Sequence, residues 1–447
     1  MEIILISISA FLILFFLIAA IYSIIEKERR AVIVSMLFAF LLPAPFLIIG
    51  YISFPYKELF SIILIFITFI TVIILFFPSL KKKERSIATP QNRFDERDII
   101  FSRVHYIEGT ERFNDYYSRH PEKREPDDLF RSKPGLLSKD AAHYEPLTFA
   151  SADAGFFTVK SFKEFIDGPV AEKPIGVEAE DLTTFIKNWT KKLGAKSCGI
   201  TELQPYHLYS HVGRGDDYGI AIEKNHKYAI AFTFEMDKEM MDTAPFGPTT
   251  LESADQYLKS GAVATQVASF IRNLGYPARA HIDANYRVIC PLVARDAGLG
   301  EIGRMGLLMT PQLGPRVRIS VVTTDIPLVT DRYKPSTSTL DFCEKCKKCA
   351  VICPSNSISH NPRGIIEGVK RWQINAESCY TYWCIVGTDC GRCVSVCPFS
   401  HPDNLFHQMI RFGIRISPLF RLFAIKMDDL FYGKRPKSTK VPFWIKR

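Results

Sequence analysis

Two cysteine runs near the C-terminus constrain this 447-residue chain more than any other feature. Cys343-x2-Cys346-x2-Cys349-x3-Cys353-Pro354 is followed by Cys379-x10-Cys390-x2-Cys393-x3-Cys397-Pro398. The first run has the spacing at which bacterial ferredoxins ligate iron–sulfur clusters. A disulfide framework suits short secreted chains that lack a core, whereas this chain is long and crowds nine of its eleven cysteines into one stretch. Structural zinc also uses paired C-x2-C units, but seldom C-x2-C-x2-C with a fourth cysteine before proline. The runs therefore predict two [4Fe–4S] clusters, and with them one-electron traffic.

In two-cluster folds the fourth cysteine of each run ligates the other cluster. One cluster then takes Cys343, Cys346, Cys349 and Cys397. The other takes Cys353, Cys390, Cys393 and either Cys379 or Cys384; Cys379 is favoured, leaving Cys384 as a spare thiol beside Trp383. Cys198 and Cys290 lie far away in apolar settings and read as ordinary buried residues.

The N-terminal part has a different character. Ile3–Ile25, Ala31–Phe54 and Leu59–Phe77 are nearly uncharged, and each reaches the roughly 20 residues that cross a hydrocarbon core. None shows the polar stripe of a buried soluble helix. A cleaved signal peptide is disfavoured by the length of the first run, its lack of a basic leader and the two runs that follow. Lys27, Arg29 and Arg30 separate the first two runs, Lys81, Lys82, Lys83 and Arg85 follow the third, and the remaining loop has only Lys57. The positive-inside rule then places the N-terminus outside and everything after Lys81 in the cytoplasm. Much of the formal charge of +9 is membrane-proximal, so it does not argue for nucleic acid.

These features divide the chain into five parts: a membrane anchor (1–80), a linker and irregular wrapping segment broken by prolines (81–140), a catalytic core (141–340), the two-cluster module (341–402) and a basic amphipathic tail (403–447). The tail reads as a packed cap or a membrane-surface helix. Within the core, Leu182–Leu193 and Ala254–Leu274 have helical periodicity, while Tyr228–Phe234 and Val317–Thr324 read as strands. Mixed helix and strand in this order predict an α/β or α+β fold.

Gly298, Gly300 and Gly303 spell G-x-G-x-x-G. A dinucleotide fingerprint needs a strand before it and a helix after it, but Leu292–Ala297 looks like the end of a helix. The string is then either a tight turn or a loop that lets backbone approach a large flat cofactor. Arg316 and Arg318 stand at strand spacing; most such pairs are solvated, and a buried one would bind phosphate or a developing anion.

Several strings, taken in order, resemble one family. They are Glu235-Met236-Asp237, Ala244-Pro245, Phe270-Ile271-Arg272-x-Leu274-Gly275-Tyr276, Ala297-Gly298-Leu299-Gly300-Glu301-x-Gly303-Arg304, Gly314-Pro315-Arg316-Val317-Arg318, Thr324-Asp325-x-Pro327-Leu328 and Gly387-Thr388-Asp389-Cys390. From about Arg93 to Lys434 the chain resembles the corrinoid-dependent reductive dehalogenases, and more distantly the epoxyqueuosine reductases. The resemblance implies a nitroreductase-like core binding base-off cobalamin, with the ferredoxin-like module delivering electrons. Consistently, no D-x-H-x-x-G string offers a lower histidine ligand. It also implies that Gly298, Gly300, Gly303, Arg304 and Arg316 contact the cofactor. The family's proton-donating tyrosine falls on Tyr257, in the first turn of the long helix, and the arginine beside it matches Arg318, with Arg316 as a second candidate. Asp283 falls near the aspartate that donates the proton in epoxyqueuosine reductases. A helix-face tyrosine capping the core and a turn carboxylate are the ordinary fates of these two residues.

The implied activity is replacement of carbon-bound halogen by hydrogen on an aromatic or alkenyl organohalide, fed by reduced ferredoxin, flavodoxin or a membrane quinol-linked donor. Membrane lipid is the other expected partner. A reductase of the same design with an oxygen leaving group is the runner-up. A membrane ferredoxin relay is the third reading, and it leaves the roughly 260 residues between anchor and cluster module unexplained.

Overall fold

The computed structural model describes residues 1–78 and 89–445. Within them the chain forms two compact units. One comprises 1–78, Thr337–Cys346 and Pro402–Pro436, the other 89–336, Lys347–His401 and 437–445. The basic run Lys81, Lys82, Lys83 and Arg85, on which the orientation argument leans, lies outside the described residues.

In the first unit, Glu2–Ile25, Arg29–Tyr51 and Lys57–Phe76 are long and apolar enough to cross a membrane. The second is not the unbroken Ala31–Phe54 run that hydropathy predicts. It divides into helices Arg29–Leu41 and Ala44–Tyr51, because Pro43 lacks an N–H and its ring obstructs the preceding turn. Apart from Leu5, the buried residues are small: Ser9, Ala19, Ala20 and Ser23 of the first helix and Ala31, Ser35 and Ala39 of the second. Ile3, Phe11, Phe40 and Phe66 face outward. Small residues allow close helix approach, and the outward apolar surface calls for a non-aqueous surround. Lys57 ties the ends of these helices, its Nζ lying 2.6 Å from Glu2 and 2.8 Å from the Gly50 carbonyl.

The second unit is built on strands β1 (Ser197–Glu202), β2 (Tyr228–Glu235), β3 (Ala278–His281), β4 (Glu301–Ile302), β5 (Leu308–Met309) and β6 (Val317–Thr324). Four of them form a sheet in the order β1-β2-β6-β3 with every pairing antiparallel, and β4 and β5 form a separate hairpin. The core is therefore α+β. Alternation along β2 sends Ile230, Phe232 and Phe234 to one face and Ala229 and Ala231 to the other. The first face packs under the Gly247–Asn273 helix through Val263, Ala264, Val267 and Ala268, and under Leu182 and Ile186 of the Ala179–Lys192 helix. The second packs under the Cys290–Asp296 helix through Val293 and Ala294.

The segment from 89 to 140, which the prolines make look irregular, forms short helices including Glu111–Arg119 and Arg124–Arg131. Arg103, buried in this segment, reaches Asp127 and Glu377, both at 2.7 Å, and Glu377 also takes Lys123 at 2.8 Å. Burial alone would raise the Glu377 carboxyl, but these cations hold it down at about 2. The network pins the Ala376–Val386 helix, which carries Cys379.

Removing the fully buried Phe232 ring is expected to cost about 3–5 kcal/mol. Phe232→Ala should therefore lower the melting temperature of the purified chain, whereas Phe157→Ala, at a largely exposed position, should leave it nearly unchanged.

Candidate active site

The long helix begins at Gly247, seven residues before the expected start, with Pro248 preset for its first turn. Tyr257 therefore sits near its third turn rather than its first. Thr250, Ser253 and Tyr257 follow one another at i, i+3 and i+7 and so share a helix face. Across from them, Arg318 lies on the same side of β6 as Val322, the side that packs under this helix. The Arg318 guanidinium carbon stands 4.6 Å from the centre of the Tyr257 ring.

Asp389 fixes that arginine. Arg318 Nη2 donates to the Asp389 carboxylate at 2.9 Å and also to the Ser253 hydroxyl, which in turn donates to Asp389. Thr250 closes the arrangement with two 3.1 Å bonds, donating to the Asp389 carboxylate and accepting from its backbone N–H. The turn that holds Asp389 demands glycine. At Gly391, φ is +70° and an added Cβ would fall 2.5 Å from Thr249.

Asp283 follows β3, whose pairing of His281 with Val321 carries the chain toward the Arg318 end of β6. Tyr257, Asp283, Tyr286 and Cys290 all keep some accessible surface, yet desolvation strongly affects each. That combination describes the wall of a recess. Arg318 exerts the largest influence on the Tyr257 phenol and pulls its pKa down. Burial, with Asp283, Asp389 and Cys290, outweighs it, so the phenol stays above the ordinary tyrosine value. Burial likewise raises the Asp283 carboxyl against the pull of Arg214 and Arg318. Arg214 lies over the Tyr286 ring at 4.7 Å and pairs with Glu96 at 3.0 Å. Arg318 Nε is buried without a hydrogen-bond partner, leaving one donor for a bound group.

Cys290 packs against the apolar core, as its setting implies, and its thiol also acts on Tyr257; burial beside Asp283 pushes it up to about 12. Cys198 packs against the apolar core as well. Arg214, Tyr286, Ser253 and Asp389 are further members of the recess that no motif marked as chemical. The i, i+3, i+7 spacing of Thr250, Ser253 and Tyr257 was the one available signal.

The glycine string joins a helix to a hairpin. Helix Cys290–Asp296 precedes it and the β4–β5 hairpin follows, which is the reverse of a dinucleotide fingerprint. Gly298 turns the chain at φ +79°. A Cβ on Gly300 would fall 2.3 Å from the Met309 carbonyl oxygen, and the Gly303 N–H donates to Leu307 at 2.9 Å. Arg304 is buried, donating to the Ser359 and Asn361 carbonyls at 2.6 and 2.8 Å beneath Trp372. Arg316 donates to the Ser400 carbonyl at 2.8 Å and to the Met236 carbonyl, and pairs with Glu235 at 3.1 Å. Of the two arginines at strand spacing, Arg318 is the one that meets Tyr257.

Cys343 and Cys346 belong to the first unit, on helix Thr337–Cys346, and the other six cysteines of the runs, with Cys384, belong to the second. Burial, then the thiols of Cys390, Cys349, Cys379 and Cys353, drive Cys393 far above its usual range. Burial also lifts Cys379 to about 11 and Cys390 to about 12, with Cys353 acting on both. Cys384 instead packs with Ile100 and Phe130. Three crowded, desolvated thiols that resist ionisation, Cys379, Cys390 and Cys393, suit a site where a cationic cluster supplies the missing charge. Cys397 is buried in the same unit.

Residues 342–401 match the 4Fe-4S dicluster domain family. The chain is 30% identical over 305 residues to the tetrachloroethene reductive dehalogenase of Sulfurospirillum multivorans, covering 60% of each. It is 34% identical over 283 residues to a tetrachloroethene reductive dehalogenase of Desulfitobacterium hafniense, covering 58% of this chain and 50% of that one. A solved reductive dehalogenase structure, described as suggesting a mechanism for B12-dependent dehalogenation, superposes with TM-score 0.58 at 26% identity, over 70% of this chain and 46% of that one. The chain is homologous to the reductive dehalogenases. It has a weaker likeness to the epoxyqueuosine reductases. It spans between 50% and 60% of the length of these dehalogenase relatives. Its cysteine-rich segment is a ferredoxin-like module for two [4Fe–4S] clusters.

Cys379 interacts electrostatically with Cys353, Cys390 and Cys393, while Cys384 packs with Ile100 and Phe130. Cys379→Ser is expected to remove the iron of one cluster, whereas Cys384→Ser should keep full iron content and the cluster absorbance; iron analysis of the two variants decides.

Proposed function

We propose that this chain is a membrane-anchored, cytoplasm-facing reductive dehalogenase that replaces carbon-bound halogen with hydrogen. The observation that carries the reading is Tyr257 under Arg318 in a desolvated recess, in a chain that also holds a two-cluster module. The antiparallel sheet and its helices read as a nitroreductase-like corrinoid-binding core. Cys343, Cys346, Cys349 and Cys397 would hold one cluster, and Cys353, Cys379, Cys390 and Cys393 the other. A base-off corrinoid bound in the recess would supply the low-valent cobalt that breaks the carbon–halogen bond. The orphan Nε of Arg318 offers that ligand or the substrate one hydrogen bond.

The chain's own residues then handle the proton. The raised pKa of Tyr257 keeps its Oη protonated throughout the neutral range, ready to donate to carbon. The Arg318 cation over the ring stabilises the phenolate left behind. Asp389, Ser253 and Thr250 act through Arg318, holding its guanidinium in place. Asp283 contributes a neutral carboxyl while protonated, which keeps a negative charge away from the phenol. A carboxyl of this kind also supports a second reading, in which the leaving group is oxygen. A halogenated phenol or alkene is the proposed substrate, and ferredoxin, flavodoxin or a membrane quinol-linked carrier the proposed donor.

Halide release from halogenated phenols and alkenes by the reduced, cobalamin-loaded chain tests the reading. Tyr257→Phe should lower that release about 10²–10⁴-fold, the usual range for losing a general acid, with cluster and corrinoid absorbance intact. Undiminished release would remove Tyr257 from the mechanism. If no halide forms from any such compound while an oxygenated substrate is reduced, the second reading takes its place.

The pH profile carries a sign. As pH rises through the raised pKa of Asp283, its new charge lifts the Tyr257 phenol further and release should fall. Asp283→Asn should lose that fall; superimposable profiles would deny Asp283 any part.

A further inference from the structure

Helices Leu405–Ile416 and Pro418–Phe431 form a hairpin whose outward face carries large apolar side chains while polar groups are buried on its inward face. Leu405, Met409 and Phe412 line the outward face of the first helix at i, i+4 and i+7. Leu419, Leu422, Phe423 and Leu430 do the same on the second, and all seven are between 37% and 65% exposed. The inward faces combine apolar Ile414, Phe420 and Ala424 with polar groups. His407, Arg411, Arg421 and Asp428 are at most 9% exposed.

Those inward polar groups are engaged. Arg421 donates to Asp341 and to the Ile414 carbonyl, both at 2.8 Å. Arg411 reaches Asp403 at 3.2 Å, and a His407 ring nitrogen lies 2.9 Å from Glu26. A soluble helix pair would turn these faces around, because burying charge and exposing seven large apolar side chains is unfavourable on both counts. The arrangement is favourable only if the outward face meets hydrocarbon.

The same unit indicates what supplies it. The hairpin packs on the apolar N-terminal helices, with Phe406 against Phe15 (5.8 Å between ring centres), Phe431 against Phe38 (5.7 Å) and Phe420 against Phe76 (4.9 Å). Arg30, at the start of the second apolar helix, donates to the Leu430 carbonyl at 2.8 Å. Phe38 lies about 13 Å of helix rise beyond Arg29. The contacts thus run from the charged ends of these helices some way along their apolar length. Exposed Arg415, over the Phe412 ring at 5.3 Å, and Lys426 border the apolar rows, where long basic side chains reach lipid headgroups.

We propose that the 405–431 hairpin lies in one leaflet of the bilayer as a fourth membrane element, its outward face sunk among lipid acyl chains. The proposal rests on reading the three N-terminal helices as spans. It gives the tail an interfacial depth of about 5–10 Å, as for amphipathic helices parallel to the membrane. Helix Thr337–Cys346, tied to the hairpin through Asp341 and Arg421, then brings Cys343 and Cys346 to the membrane surface.

The test uses the full chain in bilayer nanodiscs, with one added tryptophan at a time: Phe412→Trp, Leu422→Trp, and Phe69→Trp on the outward face of the third apolar helix as control. Emission above the parent chain is compared in ordinary lipid, in lipid brominated on its acyl chains, and with aqueous acrylamide. The expected result is loss of most of the added emission to brominated lipid at all three positions, with little effect of acrylamide. If only the control is quenched by lipid, the hairpin lies outside the bilayer and the proposal falls while the spans stand. An added tryptophan at 412 or 422 shielded from both quenchers would mean that protein covers the face, and also overturns it. An unquenched control overturns the spans and the proposal together.

Discussion

The second unit is organised around one guanidinium. Arg318 is held against the Tyr257 ring on one side and the Asp389 carboxylate on the other. Three separate stretches of chain must be in register for this to happen. The antiparallel pairing of β2 with β6 sets the height of Arg318 on the sheet. The face of the Gly247–Asn273 helix sets Thr250, Ser253 and Tyr257. The turn through Gly391, pressed against Thr249, sets Asp389. Breaking a buried charge pair by removing one partner typically costs about 3–5 kcal/mol. Here the cost would fall on alignment, since the arginine that steadies the phenol would lose its anchor.

Asp389 has a second neighbourhood. It precedes Cys390 in sequence, and its charge acts on the Cys379 and Cys390 thiols as well as on Tyr257. One carboxylate thus lies within electrostatic reach of the proposed proton donor and of cysteines proposed to ligate a cluster. A site that moves protons and electrons in one reaction needs its charges compensated locally, and the Arg318–Asp389 pair does this without leaving a net charge in the recess.

Much of this was legible in the sequence, and the failures have physical causes. The cysteine runs could be read because ligand spacing is dictated by the cluster, and β2 and β6 because they are buried, β-rich runs with clear ends. The early start of the long helix was missed since Gly247-Pro248 reads locally as a breaker, although proline is well suited to a first turn. The break at Pro43 was hidden by uniform hydropathy, which sees composition and not the missing N–H. Asp283 stood out through the family resemblance alone and Cys290 not at all, because both come within electrostatic reach of Tyr257 through the pairing of β3 with β6, a link between distant stretches that no local pattern announces. Arg304 and Arg316 stand in family strings; Arg304 donates to backbone carbonyls and Arg316 to backbone carbonyls and Glu235, because a buried guanidinium must find acceptors wherever the fold supplies them.

The central claim is that one chain joins a corrinoid site to a two-cluster electron path. Cobalt and iron measured together on chain purified anaerobically with cobalamin test it most directly. The account expects about one cobalt and about eight irons per chain, as two complete four-cysteine ligand sets require. Full iron with no bound corrinoid would contradict it and leave an electron relay in place of an enzyme.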